Sequence, residues 1–140
     1  VREEWAEKIV DLKLATTLSS SGLGAELVYS ILRQGSYRHH IDAVRSKLAD
    51  AMGRTLQRLE KLGISPWIKP QGGMFLWVRL PHGLDSARVS QAALHEGVVL
   101  APGNVFSLGQ TAAPFLRISV AQCQVPRIFE VLEQAMEKSV

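Results

Sequence analysis

The chain has 140 residues, of which 46% are hydrophobic and 21% charged, and this size and composition are typical of one globular domain with a real core. Its 16 basic and 13 acidic residues give a formal net charge of +3, which is too even a balance to indicate nucleic-acid binding by itself. Cys123 is the single cysteine, so a disulfide framework and a thiolate metal cluster are excluded, and a cytoplasmic location is expected.

The first stretch, Val-Arg-Glu-Glu-Trp-Ala-Glu-Lys, has no apolar core of a signal peptide, and no run of about 18 apolar residues follows, so no membrane partner is expected. Trp5, Ile9 and Leu12 are spaced by four and three, which predicts a helix. An independent domain rarely opens on an uncapped helical turn. We therefore expect that residue 1 lies inside a longer protein.

Two more helices are predicted next. Apolar residues from Leu23 to Leu32 form one stripe, and Gly35 ends that helix as a left-handed cap. Apolar positions then recur at threes and fours over residues 37–62, which predicts one long helix of about 26 residues. His39 and His40 are neighbours about 100° apart on this helix and cannot both face one metal ion. No metal site is expected.

Residues 70–81, Pro-Gln-Gly-Gly-Met-Phe-Leu-Trp-Val-Arg-Leu-Pro, predict a central strand, preceded by a short strand over residues 66–69. Alternate side chains of a strand point to opposite faces. One face carries only apolar side chains: Met74, Leu76, Val78 and Leu80. The other face carries two rings and a cation: Phe75, Trp77 and Arg79.

The second half of the chain predicts two further strands and two further helices. Asp85 caps a helix that Gly97 ends, and a short buried strand is predicted over residues 98–100. Another strand is predicted over residues 115–120, and Pro126 opens a C-terminal helix. The order indicates an α/β fold: a small, mainly antiparallel or mixed sheet of three to four strands covered by helices, with one long helix preceding the sheet.

Three ordered motifs carry a family resemblance: Pro-Gln-Gly-Gly-Met-Phe-Leu-Trp-Val, Gly-Val-Val-Leu-Ala-Pro-Gly-Asn-Val-Phe and Phe-Leu-Arg-Ile-Ser-Val-Ala. The series resembles the C-terminal small domain of the class I and II aminotransferases, the fold-type I, aspartate-aminotransferase-like enzymes that use pyridoxal phosphate. Two earlier stretches, Leu-Lys-Leu-Ala-Thr-Thr-Leu and Gly-Ser-Tyr-Arg-His-His-Ile-Asp-Ala-Val-Arg, resemble the aminotransferase-like half of MocR-type regulators of the GntR family. Transaminases of the 2-aminoadipate type are similar too.

The resemblance implies an amino-acid or amine ligand, and it implies that Arg117 binds the α-carboxylate of an amino-acid substrate. A planar guanidinium offers a bidentate fork, and a charge in the middle of an apolar strand needs a strong reason to be there. The alternative is a surface arginine on a half-exposed strand. The resemblance also places five residues in loops that edge the site, although tight turns explain the glycines equally well. These five are Gly72, Gly73, Pro102, Gly103 and Asn104.

The resemblance further implies a pyridoxal phosphate cofactor, a homodimer and a large domain that precedes residue 1. The lysine, the acid and the phosphate cradle that the cofactor requires belong to that large domain. None of the six lysines here stands in a Ser-x-x-Lys or Ser-x-Lys context, so the chain alone is expected to hold no catalytic residue and no cofactor. Residues 1–20 would join it to the large domain, residues 21–140 would form the small domain, and DNA would bind only through a further N-terminal domain.

Two other interpretations remain open. One is a self-sufficient ligand-binding or interaction domain, and the other, a nucleic-acid module, is disfavoured because basic residues alternate with acidic ones. Exposure of the outer sheet face distinguishes these two interpretations from that of an aminotransferase small domain. A small domain without its large domain should expose Phe75 or Trp77, or hide them by self-association, and should hold residues 1–20 loosely.

Overall fold

The computed structural model describes residues 2–19, 21–81 and 83–139. The chain divides into two compact units, Val1–Asp42 and Ala43–Val140, and the division falls inside its longest helix. The predicted boundary after residue 20 stays a prediction, and residues 1 and 20 lie outside the described residues. No helix in the described ranges is long and apolar enough to cross a membrane.

The first unit is helical, as predicted. It contains α1 (Glu3–Thr16), α2 (Gly22–Arg33) and the beginning of α3 (Ser36–Lys61). The Ser21 hydroxyl caps α2 by accepting a hydrogen bond from the amide of Gly24 at 3.3 Å, and Gly35 follows that helix with φ +72°. None of the described residues of α1 and α2 is buried, so the apolar stripe of α2 is exposed.

The second unit is built on a four-stranded antiparallel sheet in the order β1-β2-β4-β3. The strands are β1 (Ser65–Pro66), β2 (Phe75–Arg79), β3 (Ala101–Pro102) and β4 (Phe115–Ser119). The helices of this unit are the C-terminal part of α3, α4 (Ser86–His95) and α5 (Arg127–Glu137), and a 3₁₀ turn spans Gly103–Phe106. The predicted α/β fold, with a small antiparallel sheet and one long helix before it, is confirmed.

The core lies against one face of this sheet. Leu76 and Val78 of β2 are buried there beside Leu116 and Ile118 of β4, and they share one hydrophobic cluster with residues of α3, α4 and α5. Burying such side chains stabilises the fold by about 1.5–3 kcal/mol each. Met74 was predicted to point inward as well, but it precedes β2 and is 46% exposed, so the inward face begins at Leu76.

Two predicted strands differ from the observed ones. The strand predicted over residues 98–100 is wrong: the Val98 amide still bonds the Ala93 carbonyl of α4 at 3.0 Å, Val99 is 83% exposed, and pairing starts only at Ala101. The strand predicted over residues 66–69 is shorter and begins earlier, at Ser65. After it, the Trp67 amide donates one more hydrogen bond to the Trp77 carbonyl at 2.9 Å.

Candidate functional site

The face of the sheet opposite the core carries aromatic and arginine side chains from both central strands. In the register, Trp77 lies opposite Arg117, and Arg79 lies opposite Phe115. Like faces of antiparallel neighbours point the same way, so the predicted grouping of these residues on one face is confirmed. Phe75 is 46% exposed, which confirms that part of the face is bare, whereas Trp77 is half-buried.

Arg117 lies between two phenylalanine rings on this face. Its Cζ is 4.6 Å from the centroid of the Phe75 ring and 4.3 Å from that of the Phe106 ring. Both distances fall within the range of a cation–π contact, which stabilises an exposed cation by about 0.5–1 kcal/mol. Within the described residues no carboxylate forms an ion pair with Arg117, and its side chain is exposed. The guanidinium is therefore oriented by rings and open to an external anion.

The remaining rings form a packed row beside Arg117. Trp77 and Phe115 stack with centroids 5.5 Å apart and an angle of 11° between their planes. Trp67 meets Phe115 edge to face at 5.3 Å, and the Cζ of Arg79 is 6.0 Å from the same Phe115 ring. Arg117 thus contacts Phe75 and Phe106, whereas Arg79 contacts Phe115, so the two arginines have different aromatic partners.

Pro102, Gly103 and Asn104 hold the turn that leads to Phe106. Pro102 pairs with Leu116 across the strands. A Cβ atom on Gly103 would lie 2.3 Å from the Ala112 carbonyl oxygen, so a side chain does not fit there. The Asn104 Oδ1 accepts a hydrogen bond from the Ala112 amide at 3.0 Å. These three residues lie on the side of β4 that supplies Phe106, and their predicted place at the edge of a site stays a prediction.

Gly72 and Gly73 lie elsewhere in the second unit. They line a groove of about 690 Å³ together with Pro70, Gln71 and one side of α3. Gly73 has φ +104°, a conformation that favours glycine, and a Cβ atom on either glycine would meet open space. The positive φ explains Gly73 as a turn residue, and the place of both glycines at the edge of a site stays a prediction.

The lysines of the chain do not fit a cofactor site. A Schiff-base lysine must lose its proton, which requires burial or a nearby cation to lower its pKa. All six lysines are exposed, and Lys138 pairs with Glu96 at 3.3 Å. The chain's own lysines therefore do not complete a pyridoxal phosphate site.

Within the described ranges no cluster of three or more His, Cys, Asp or Glu side chains could hold a metal ion.

A small cavity of about 200 Å³ opens between β4 and residues 98–100, which precede β3. Its lining includes Phe75, Val99, Arg117 and Cys123. Burial raises the pKa of the Cys123 thiol, which disfavours the reactive thiolate form. The cavity therefore contributes an apolar wall next to Arg117.

Sequence reasoning missed Phe106. The stretch Ala-Pro-Gly-Asn-Val-Phe was identified as one of three motifs, but the contact between its phenylalanine and Arg117 depends on the pairing of β3 with β4. The signal in the sequence is the Pro-Gly-Asn turn before Phe106, which predicts that the chain turns at Gly103 but not which strand the ring contacts.

Comparison with known proteins places the chain in a family. The model of the family described as aminotransferase class I and II matches residues 3–134. The chain is 34% identical over 119 residues to the uncharacterised HTH-type transcriptional regulator YdcR of Escherichia coli, covering 83% of this chain and 25% of that protein. It is 31% identical over 121 residues to 2-aminoadipate transaminase of Thermus thermophilus, covering 84% of this chain and 30% of that protein.

Solved structures agree with the sequence comparison. The α-aminoadipate aminotransferase LysN of Thermus thermophilus, complexed with N-(5'-phosphopyridoxyl)-L-leucine, superposes with a TM-score of 0.82 at 26% identity, covering 96% of this chain and 36% of that one. The kynurenine aminotransferase of Pyrococcus horikoshii superposes with a TM-score of 0.78 at 28% identity, covering 94% of this chain and 33% of that one. The chain thus spans 25% to 36% of the length of these four proteins. It belongs to the class I and II aminotransferase family.

Proposed function

We propose that this chain is the C-terminal small domain of a pyridoxal-phosphate-dependent, aminotransferase-like protein, and that Arg117 binds the carboxylate of its amino-acid ligand. The observation that carries the proposal is the guanidinium of Arg117, which lies on an open sheet face between two rings without an internal carboxylate partner in the described part of the chain. An arginine left without an internal partner is free to bind an anion from outside.

The chemistry of the side chain supports this role. Arginine stays protonated at any physiological pH and presents parallel N–H donors that match the two oxygens of a carboxylate. Rings beside the guanidinium shield part of it from water, and charge-assisted hydrogen bonds are stronger where water is excluded. Phe75 and Phe106 provide this shielding and an apolar surface, so the site favours a carboxylate attached to an apolar skeleton.

The cofactor, when bound, withdraws electrons from the amine carbon of the ligand. In the proposal a preceding large domain supplies the lysine, the acid and the phosphate cradle, because the lysines of this chain are all exposed. The complete protein is a homodimer, and a further domain binds DNA if the protein is a regulator. A regulator acts where the DNA is, so a cytoplasmic location is part of the proposal.

Within the family we favour a regulator of the MocR type, in which the ligand is an effector. Three of the relatives are uncharacterised HTH-type transcriptional regulators, at 34%, 31% and 26% identity. The second candidate is a genuine transaminase of the 2-aminoadipate type, which the TM-score of 0.82 with LysN favours. The sequence upstream of residue 1 separates the two, since only a regulator carries a DNA-binding domain there.

The carboxylate role is tested on the complete protein by calorimetric titration with a panel of L-amino acids. Arg117→Ala should weaken binding of the best ligand by about 2–5 kcal/mol, the range for removing one partner of a buried charge pair, without releasing the cofactor. Arg117→Lys should recover only part of the loss because a lysine binds as a point charge.

Arg79→Ala is the matched control, since Arg79 lies on the same face but contacts Phe115 instead. It should leave the affinity unchanged. Ligand binding by Arg117→Ala at the strength of the unsubstituted protein would refute the proposed role. A complete gene without a large domain would favour a self-sufficient ligand-binding domain instead.

A further inference from the structure

Phe106 contacts the proposed ligand-binding arginine from outside the paired strands. Phe75 belongs to β2, Phe106 follows β3, and the order of the sheet places β4 between those two strands. The two rings, at 4.6 Å and 4.3 Å from Cζ, therefore reach the guanidinium of Arg117 from two segments that are far apart in the chain.

The two rings limit which part of the guanidinium can bind an anion. Aromatic rings interact with the faces of the planar group, whereas its N–H donors lie in its plane and point outward from its edges. Two aromatic neighbours that occupy the faces of the group leave its edge as the part open to an anion. A carboxylate that lies in the same plane accepts two parallel hydrogen bonds from that edge.

Core packing does not explain the position of Phe106, which is 46% exposed. Instead, hydrogen bonds fix the turn that carries it. The Gly103 amide donates to the buried Ser86 hydroxyl at 3.3 Å, and the Gln110 side-chain amide donates to the Asn104 carbonyl at 3.3 Å. Trp77 supports the ring from the sheet, edge to face, at 6.0 Å.

We infer that Phe106 is a positioning residue: together with Phe75 it fixes the plane of the Arg117 guanidinium, so that the edge of the guanidinium faces the carboxylate of the ligand. The inference rests on the proposed carboxylate role of Arg117. It goes further by assigning a function to the Pro-Gly-Asn-Val-Phe motif, in which the first residues build the turn and Phe106 orients the arginine.

The test is nuclear magnetic resonance of the 140-residue chain with nitrogen-15-labelled arginine, with acetate as the carboxylate probe. Phe106→Leu keeps an apolar side chain but removes the ring. It should reduce the ring-current shift of the Arg117 Hε signal and weaken acetate binding by up to about 5-fold, because the lost orientation cannot cost more than the exposed cation–π contact that maintained it. Phe106→Tyr keeps the ring and should preserve both properties.

Leu108→Ala is the matched control, because Leu108 follows the same turn and is fully exposed. It should change neither the Arg117 signal nor the acetate affinity. An unaltered Arg117 signal and acetate affinity in Phe106→Leu overturns the inference, whether or not the urea midpoint falls. Failure of the proposed function gives a different result: acetate binding still depends on Phe106, but Arg117→Ala leaves amino-acid binding by the complete protein unchanged.

Discussion

Replacing Gly103 by alanine tests how tightly the turn beside Arg117 is packed. The new Cβ atom would lie 2.3 Å from the Ala112 carbonyl oxygen and 2.8 Å from that of Phe115, and backbone oxygens cannot rotate away. Overpacking of this kind costs about 1–3 kcal/mol. If the turn moves to relieve it, the buried bond from the Gly103 amide to Ser86 is lost, at about 1 kcal/mol more. We expect a total loss of about 2–4 kcal/mol.

The assay is urea unfolding of the 140-residue chain, followed by circular dichroism and analysed for the free energy of unfolding. Gly53→Ala is the control with the opposite expected sign. Gly53 lies in the middle of α3, a Cβ atom there meets open space, and alanine is favoured over glycine in a helix by about 1 kcal/mol. A Gly103→Ala protein as stable as the unsubstituted chain would show that the turn is not packed as described.

Two further predictions concern titration and the cofactor. Because burial raises the pKa of the Cys123 thiol, the unfolded chain loses this proton first as the pH rises, so the free energy of unfolding should fall above the unfolded pKa of about 8.5. Cys123→Ala should reduce that decrease, and equal pH slopes in both proteins would contradict the burial. Mixed with pyridoxal phosphate, the chain alone should form no stoichiometric covalent adduct that survives dialysis, because its lysines are exposed and lack a phosphate cradle. A visible absorbance band that maps to one lysine would refute this.

The sequence predicted the elements whose signals are local. The alternation from Phe75 to Arg79 is a period-two pattern that the antiparallel register preserves. The side chain of Asp85 accepts a hydrogen bond from the Ala87 amide at 2.7 Å, as expected of a helix cap. Gly35 and Gly97 both have positive φ at helix ends, where only a left-handed residue fits.

The incorrect predictions concern residues whose position in the fold outweighs their residue type. Val98, Val99 and Leu100 are typical strand residues, but the end of α4 still holds Val98, which delays pairing until Ala101. Thr55 of α3 is polar, so a pattern of apolar positions does not include it. It is nevertheless buried, because it lies three residues after Met52 and four before Leu59, on the same side of the helix.

The resemblance predicted Arg117 as the site residue, which stays a prediction, and the sequence did not predict the contact of Arg117 with Phe106. Its place on the outer face follows from alternation in β4, which any strand would show. The approach of Phe106 depends on how β3 pairs, and the length and register of a two-residue strand are not encoded in its own composition.

The shortness of β1 and β3 has a consequence for how the chain can associate. These two strands form the outer borders of the sheet, each is two residues long, and Pro66 and Pro102 have no amide hydrogen to donate. A second chain therefore finds little backbone to extend the sheet in the manner of amyloid growth. Self-association through an exposed apolar surface, such as the aromatic face, should instead give small, reversible oligomers that dissociate on dilution.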